Sequence, residues 1–205
     1  MTFEGGEGVG KSTQVRLLAR ALERQGRQVL QTREPGGTPG AEAVRHVLLS
    51  GHAKPLGVDM EAALFAAARR DNVEQVIRPA LADGYVVLCD RYMDSSRVYQ
   101  GAVGGTDPAL IDAFEAAATE GARPDLTVVL DLDAELAHER MRARQASGSD
   151  DRYERDDLDT HRRRREAFLA IARREPDRCV VVPADRSPDA VAQDVALHAR
   201  RVLKR

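Results

Sequence analysis

Gly5-Gly6-Glu7-Gly8-Val9-Gly10-Lys11-Ser12 reads G-x-x-x-x-G-K-S, a spacing suited to holding phosphate. The glycines let the backbone curl so that several N–H groups converge on one anion. Lys11 adds a charge that reaches the outer phosphates, and the Ser12 hydroxyl is placed to hold magnesium. The helix that follows aims its positive dipole end at the same spot. Thr2-Phe3-Glu4 before the loop reads as a strand, and Val15, Leu18, Ala19 and Leu22 after it recur at helical spacing. Strand, glycine loop and helix therefore follow in the order the motif requires. A glycine-rich turn that binds nothing is the competing reading, and this context stands against it.

Further chemistry clusters after the other strand-like runs. Arg33-Glu34-Pro35-Gly36-Gly37-Thr38-Pro39-Gly40 reads as a tight, non-helical turn, either a plain surface turn or a binding loop at a strand end. Asp90-Arg91-Tyr92 places a carboxylate where it can hold magnesium and an arginine where it can meet phosphate, or else forms a structural ion pair. Ser95, Ser96, Tyr99 and Gln100 follow; hydroxyls and an amide that donates and accepts at once suit a small polar ligand such as a pyrimidine edge. Phe65 and Arg69 are four apart in a helical pattern, which suits stacking a base beside a cation. A buried phenylalanine and a solvated arginine give the same pattern. Arg142, Arg144 and Arg152 flank Ser147-Gly148-Ser149, a hinge-like segment that positions them to close over a transferring group. Arg162-Arg163-Arg164-Arg165 lies inside a helical pattern and reads as a solvated face.

The elements that must position these groups alternate along the chain. Strand-like runs at 29–32, 85–89, 126–130 and 179–182 join the stub before the phosphate loop. Near-continuous β-branched runs imply strands buried on both faces, as in a parallel sheet. Helical stretches are expected at about 12–25, 40–50, 59–83, 108–121, 133–146, 156–175 and 188–204. The alternation predicts an α/β fold of three layers: a five-stranded parallel sheet, helices on both faces, and a short lid at about 142–156. Ligands in such sheets bind beyond the carboxyl ends of the strands, where most of the motifs fall.

Composition sets the remaining bounds. The 205 residues suit a single α/β domain, 1–205, and 42% hydrophobic with 31% charged residues is ordinary for a soluble protein. No run reaches membrane-spanning length, no signal-peptide pattern precedes the loop, and a net charge of −2 argues against nucleic acid as a partner. Cys89 and Cys179 lie in apolar runs and read as reduced packing residues of a cytoplasmic protein rather than as a disulfide. A guanine-nucleotide switch would carry an N-K-x-D motif, and the sequence has none.

On these residues the chain resembles the bacterial thymidylate kinases. The likeness spans essentially the whole sequence. It rests on the phosphate loop with its acidic Glu7, the Arg33-to-Thr38 turn, the Leu64-Phe65-Ala66-Ala67 helix, Asp90-Arg91-Tyr92 with Ser95-Ser96 and Tyr99-Gln100, and Asp151-Arg152-Tyr153-Glu154. The resemblance implies transfer of the γ-phosphoryl of MgATP to dTMP, a step in dTTP synthesis, by a homodimer. It implies ATP binding by Gly5, Gly6, Glu7, Gly8, Val9, Gly10, Lys11, Ser12 and Thr13, and magnesium at Ser12, Glu7 and Asp90. For dTMP it implies Glu7, Glu34, Pro35, Arg45, Ser95, Ser96 and Gln100. Phe65 matches the ring that stacks on thymine, Tyr99 the ring beneath the deoxyribose, and Arg69 and Arg91 the arginines on its phosphate. Lys11, Arg91 and the lid arginines Arg142 and Arg152 match the catalytic charges. Ala68, Val98 and Thr160 depart from the family pattern, the first two at the border of the base pocket. Another nucleoside monophosphate kinase is the nearest alternative. Phe65, Tyr99 and Gln100 favour a deoxypyrimidine.

Overall fold

The computed structural model describes residues 1–145 and 152–203. The β-branched runs become strands β1 (Thr2–Glu4), β2 (Val29–Arg33), β3 (Val86–Asp90), β4 (Thr127–Asp131) and β5 (Cys179–Pro183). All neighbouring pairs run parallel, in the order β2-β3-β1-β4-β5. β1 is central, with Thr2 level with Cys89 on one side and Thr127 on the other. Chain order reverses there, so the phosphate loop leaves the sheet at the crevice where such folds bind ligands.

Helices fill the connections: α1 (Lys11–Glu23), α2 (Pro39–Leu49), α3 (Val58–Asn72), α4 (Arg78–Ala82), α5 (Met93–Ser96), α6 (Pro108–Thr119), α7 (Ala134–Gln145), α8 (Leu158–Arg174) and α9 (Pro188–Leu203). Their starts follow local chemistry. The Thr38 hydroxyl caps α2 by accepting from the Ala41 N–H, the Asp107 carboxylate caps α6, and Asp157 caps α8. Pro39 and Pro108 occupy the first turn, where a missing N–H costs nothing.

Strand alternation divides the core. On one face Phe3, Leu88, Val128 and Leu130 pack against Val15, Leu18 and Leu22 of α1 and Val191 and Val195 of α9. On the other, Val87 and Cys89 meet Val73, Ile77 and Tyr92, while Val129 and Cys179 meet Phe168 and Ile171 of α8. Each fully buried large apolar side chain stabilises the fold by about 1.5–3 kcal/mol. Both cysteines are free and buried, as the sequence suggested. Among the described residues no helix is long and apolar enough to cross a membrane.

Two segments differ from the sequence expectation. The stretch 59–83 is not one helix: Val73–Ile77 forms a π-helical turn between α3 and α4. Pro79 lacks an N–H and its ring crowds the carbonyl four residues back, so the wider turn accommodates it. Residues 93–103, which carry no clear helical period, form α5 and a second π-helical turn, Arg97–Val103. That turn aims both Tyr99 and Gln100 at the site.

Candidate active site

A cavity of about 530 Å³ opens beyond the carboxyl edge of the sheet. Its floor is the phosphate loop. Gly5 holds φ +131°, and an added Cβ there would meet the Leu130 carbonyl oxygen at 2.6 Å, so the loop needs glycine at this point. Helix α1 has no side-chain cap; the Thr13 and Gln14 N–H groups turn back to the Gly10 carbonyl, and the helix presents its positive dipole end to the loop, a place suited to an anion. Lys11 is buried and curls back over the loop, its Nζ donating to the carbonyls of Gly5 (3.1 Å) and Gly6 (2.6 Å). Burial and the nearby Arg91 charge push its pKa down to about 8.

The end of β3 joins the loop. Ser12 Oγ donates to Asp90 Oδ2 at 2.5 Å. These hard oxygens at a helix N-terminus suit magnesium, which keeps several waters and needs only one or two protein ligands. Glu7 points elsewhere, toward arginines. Among the described residues no group of three or more His, Cys, Asp or Glu forms a metal cage. Asp90 and Arg91 do not form the ion pair that was the alternative reading. Arg91 adopts φ 68°, a conformation that non-glycine residues seldom take and that here swings the side chain into the cavity. Its Nη1 donates to the Gly5 carbonyl (3.1 Å) and to Ser95 Oγ (3.2 Å), and its Nη2 to Glu7 Oε1 (3.1 Å). Ser95 Oγ in turn donates to Glu4 Oε2 at 2.6 Å.

The far half of the cavity is lined by Phe65, Ser96, Tyr99 and Gln100, with Glu34, Pro35 and Arg45 on the side of the Pro-Gly-Gly turn. Arg45 Nη1 donates to the Pro35 carbonyl at 2.8 Å, and Gln100 Nε2 lies 3.4 Å from the Tyr153 hydroxyl. Arg69 departs from its expected place. It is 2% exposed and lies behind the cavity wall, with Nε on Glu34 Oε2 (2.6 Å) and both terminal nitrogens on Ser96 Oγ (3.2 Å). Its guanidinium holds two wall residues in place. Burial raises the Glu34 carboxyl even against the Arg69 charge.

Helix α8 contributes groups that the sequence reading did not foresee. His161 Nδ1 lies 3.4 Å and Arg164 Nη1 3.5 Å from Glu7 Oε2. Burial alone would raise the Glu7 carboxyl; the His161 hydrogen bond and the Arg91, Arg164 and Lys11 charges outweigh it and hold the group well below the carboxylate range. Tyr99 donates its hydroxyl to the same carboxylate. The arginine run is therefore not one solvated face. Arg162 and Arg163 are exposed, but Arg164 is 4% exposed and Arg165 grips Asp131 at 2.6 and 3.1 Å. The signal was present: His161, Arg164 and the buried Phe168 share one face at i, i+3 and i+7.

The cavity gathers Glu7, Gly8, Gly10, Lys11, Ser12 and Thr13 with Asp90, Arg91 and Ser95. Gly5, Gly6 and Val9 border a smaller cleft behind the loop. Arg142 is exposed on α7 and does not line the cavity. The lid expectation falls largely on residues 146–151, which lie outside the described residues, as do the side chains of Arg144 and Arg152. Arg16, Leu49, Tyr153 and Glu154 line the cavity without having been singled out as site residues. Arg16 is one helical turn beyond Ser12, which is the only hint the sequence offered.

Comparison with known proteins agrees with this geometry. The family model described as thymidylate kinase matches residues 3–195. A thymidylate kinase of Nitrobacter winogradskyi is 52% identical over 202 residues, 98% of this chain and 88% of the relative. One from Bradyrhizobium diazoefficiens is 51% identical over 192 residues, 94% of this chain and 84% of the relative. A crystal structure of thymidylate kinase from Ehrlichia chaffeensis superposes with a TM-score of 0.76 at 33% identity, covering 95% of this chain and 94% of that one.

Proposed function

The chain belongs to the thymidylate kinase family and phosphorylates dTMP, and we propose that it draws the phosphoryl group from MgATP bound on the loop at residues 5–13. One observation carries this reading: a single cavity contains both the phosphate-loop residues Lys11 and Ser12 and the set Phe65, Arg91, Tyr99 and Gln100. Donor and acceptor therefore meet end to end.

In the reaction, a phosphate oxygen of dTMP attacks the γ-phosphorus, the bond from that phosphorus to the ADP oxygen breaks, and its electron pair leaves with ADP. The acceptor oxygen is already anionic, so no side chain needs to act as base. The protein supplies alignment, charge neutralisation and exclusion of water. Lys11 and the loop amides hold the donor phosphates. Arg91 and Arg45 hold the acceptor phosphate. Phe65 stacks on thymine, and Gln100 reads its edge. Arg69 keeps Ser96 and Glu34 in register behind the wall. Magnesium, held by Ser12 and Asp90, would neutralise donor phosphate charge. Arg142 and Arg152 are assigned to charge neutralisation when the lid closes. Assembly as a homodimer, which the family resemblance implies, and the cytoplasm as the compartment complete the proposed reading.

Coupled ADP-release assays with dTMP, dUMP, dCMP, dAMP and dGMP test the reading. The highest kcat/KM is expected with dTMP, and a preference for a purine monophosphate would overturn the acceptor assignment. Arg91→Ala is expected to lose roughly two or more orders of magnitude in rate, as for removal of a transition-state charge contact.

A further inference from the structure

We propose that Arg164 is a positioning residue of the acceptor pocket, acting through Tyr99 and Glu7 to set the preference for a 2′-deoxy sugar. The proposal rests on the reading that the deoxyribose of dTMP lies on Tyr99, whose ring leaves no room for a 2′-hydroxyl. Arg164 does not line the cavity. It is a charged side chain buried to 4% exposure on α8, and the surroundings account for that burial. Its Cζ lies 4.5 Å from the Tyr99 ring centroid and 5.5 Å from that of Tyr153. Its Nη1 donates to the Tyr153 carbonyl at 3.2 Å, and its Nη2 pairs with Asp156.

Arg91, the cation facing the acceptor, uses the same two groups. Its Cζ lies 5.0 Å from the Tyr99 centroid, and its Nη2 donates to Glu7 Oε1 at 3.1 Å. One ring and one carboxylate are thus shared between an arginine in the cavity and an arginine behind it. Cation–π attraction to two guanidinium groups and the hydroxyl bond to Glu7 fix both the plane and the tip of Tyr99. Removing Arg164 leaves Glu7 with fewer cationic partners, so Arg91 is drawn toward the carboxylate and away from substrate. It also frees the ring to turn, and a ring that turns no longer bars a 2′-hydroxyl.

Kinetics with dTMP and with its 2′-hydroxy counterpart test this in the wild type, Arg164→Met and Arg164→Lys. Methionine keeps apolar bulk and loses the charge. We expect it to raise KM for dTMP about tenfold and to narrow the sugar preference by a similar factor, the scale of one desolvated cation–π contact, with a smaller change in kcat. Lysine restores charge near Glu7 without the planar face, so it should recover KM in part and leave the preference narrowed. A methionine variant with wild-type KM and sugar preference overturns the proposal. So does one whose only defect is lower kcat and thermal stability, which is the signature of a purely structural role. If the methionine variant does not fold, lysine decides: a wild-type preference in that variant refutes the inference, and a narrowed one supports it. A wild type that turned over no dTMP would remove the underlying reading, whereas an active wild type with unchanged variants removes only this inference.

Discussion

The Ser12 hydroxyl donates to Asp90 Oδ2 across 2.5 Å and so ties the first turn of α1 to the end of β3. The two residues are 78 apart in the chain, and only the pairing of β1 with β3 brings them together. Asp90→Asn keeps the shape and removes the charge. We expect it to raise the magnesium concentration for half-maximal activity by about 10- to 100-fold, as for loss of a group that orients a metal ligand. A magnesium titration at saturating ATP measures this, and an unchanged midpoint would exclude Asp90 from the site.

Arg69 and Glu34 form a buried ion pair at 2.6 Å, each side chain no more than 3% exposed. Removing one partner strands the other charge, at a cost of about 3–5 kcal/mol. Arg69→Met should therefore lower the unfolding free energy by that amount in urea titrations. Adding Glu34→Gln should return a large part of it. Two independent, additive losses would show that the pair is not coupled.

Glu4 carries a pH signature. Burial, then the Asp94 charge, pushes its pKa up to about 8 from an ordinary 4.5. The folded protein thus keeps a proton that the unfolded chain releases. This contribution to stability is fully present below pH 4.5 and is lost as pH rises to about 8. Its slope in that window is at most about 1.4 kcal/mol per pH unit. Glu4→Gln removes the titration, so its stability relative to wild type should improve with pH across the window. A difference that stays flat in unfolding measurements between about pH 5 and pH 8 would contradict the assignment.

Gly5→Ala tests the loop. The position needs φ +131° and has the Leu130 carbonyl where a Cβ would go. Overpacking of this kind costs about 1–3 kcal/mol. We expect a lower melting temperature together with weaker binding of a non-hydrolysable ATP analogue. Normal affinity in a folded variant would show that the loop tolerates the shift.

Much of the site was legible because it is local. The glycines, Lys11 and Ser12 are adjacent in sequence and act through one turn of backbone. Phe65, Tyr99 and Gln100 lie in segments whose residue types announce a small polar and aromatic ligand, and the structure brings them to one cavity. What escaped was the direction of single side chains. Arg69 is four residues from Phe65, yet it lies behind the wall because Glu34 and Ser96 draw its guanidinium inward. Four consecutive arginines looked alike, although a helix turns each by about 100° from the last. Of the four, Arg164 is the one that is buried and reaches Glu7, whereas Arg165 turns to Asp131.

By itself the sequence determined the phosphate loop, the alternation of strands and helices, and the family resemblance, since these depend on local backbone preference and on hydrophobic period. Tertiary structure alone decided the partners of Glu7. Its carboxylate collects Arg91 from beyond β3, Tyr99 from a π-helical turn, and His161 and Arg164 from α8. Buried charge is tolerated only where opposite charge and hydrogen bonds surround it, and that surrounding exists only once the sheet has set these distant segments side by side.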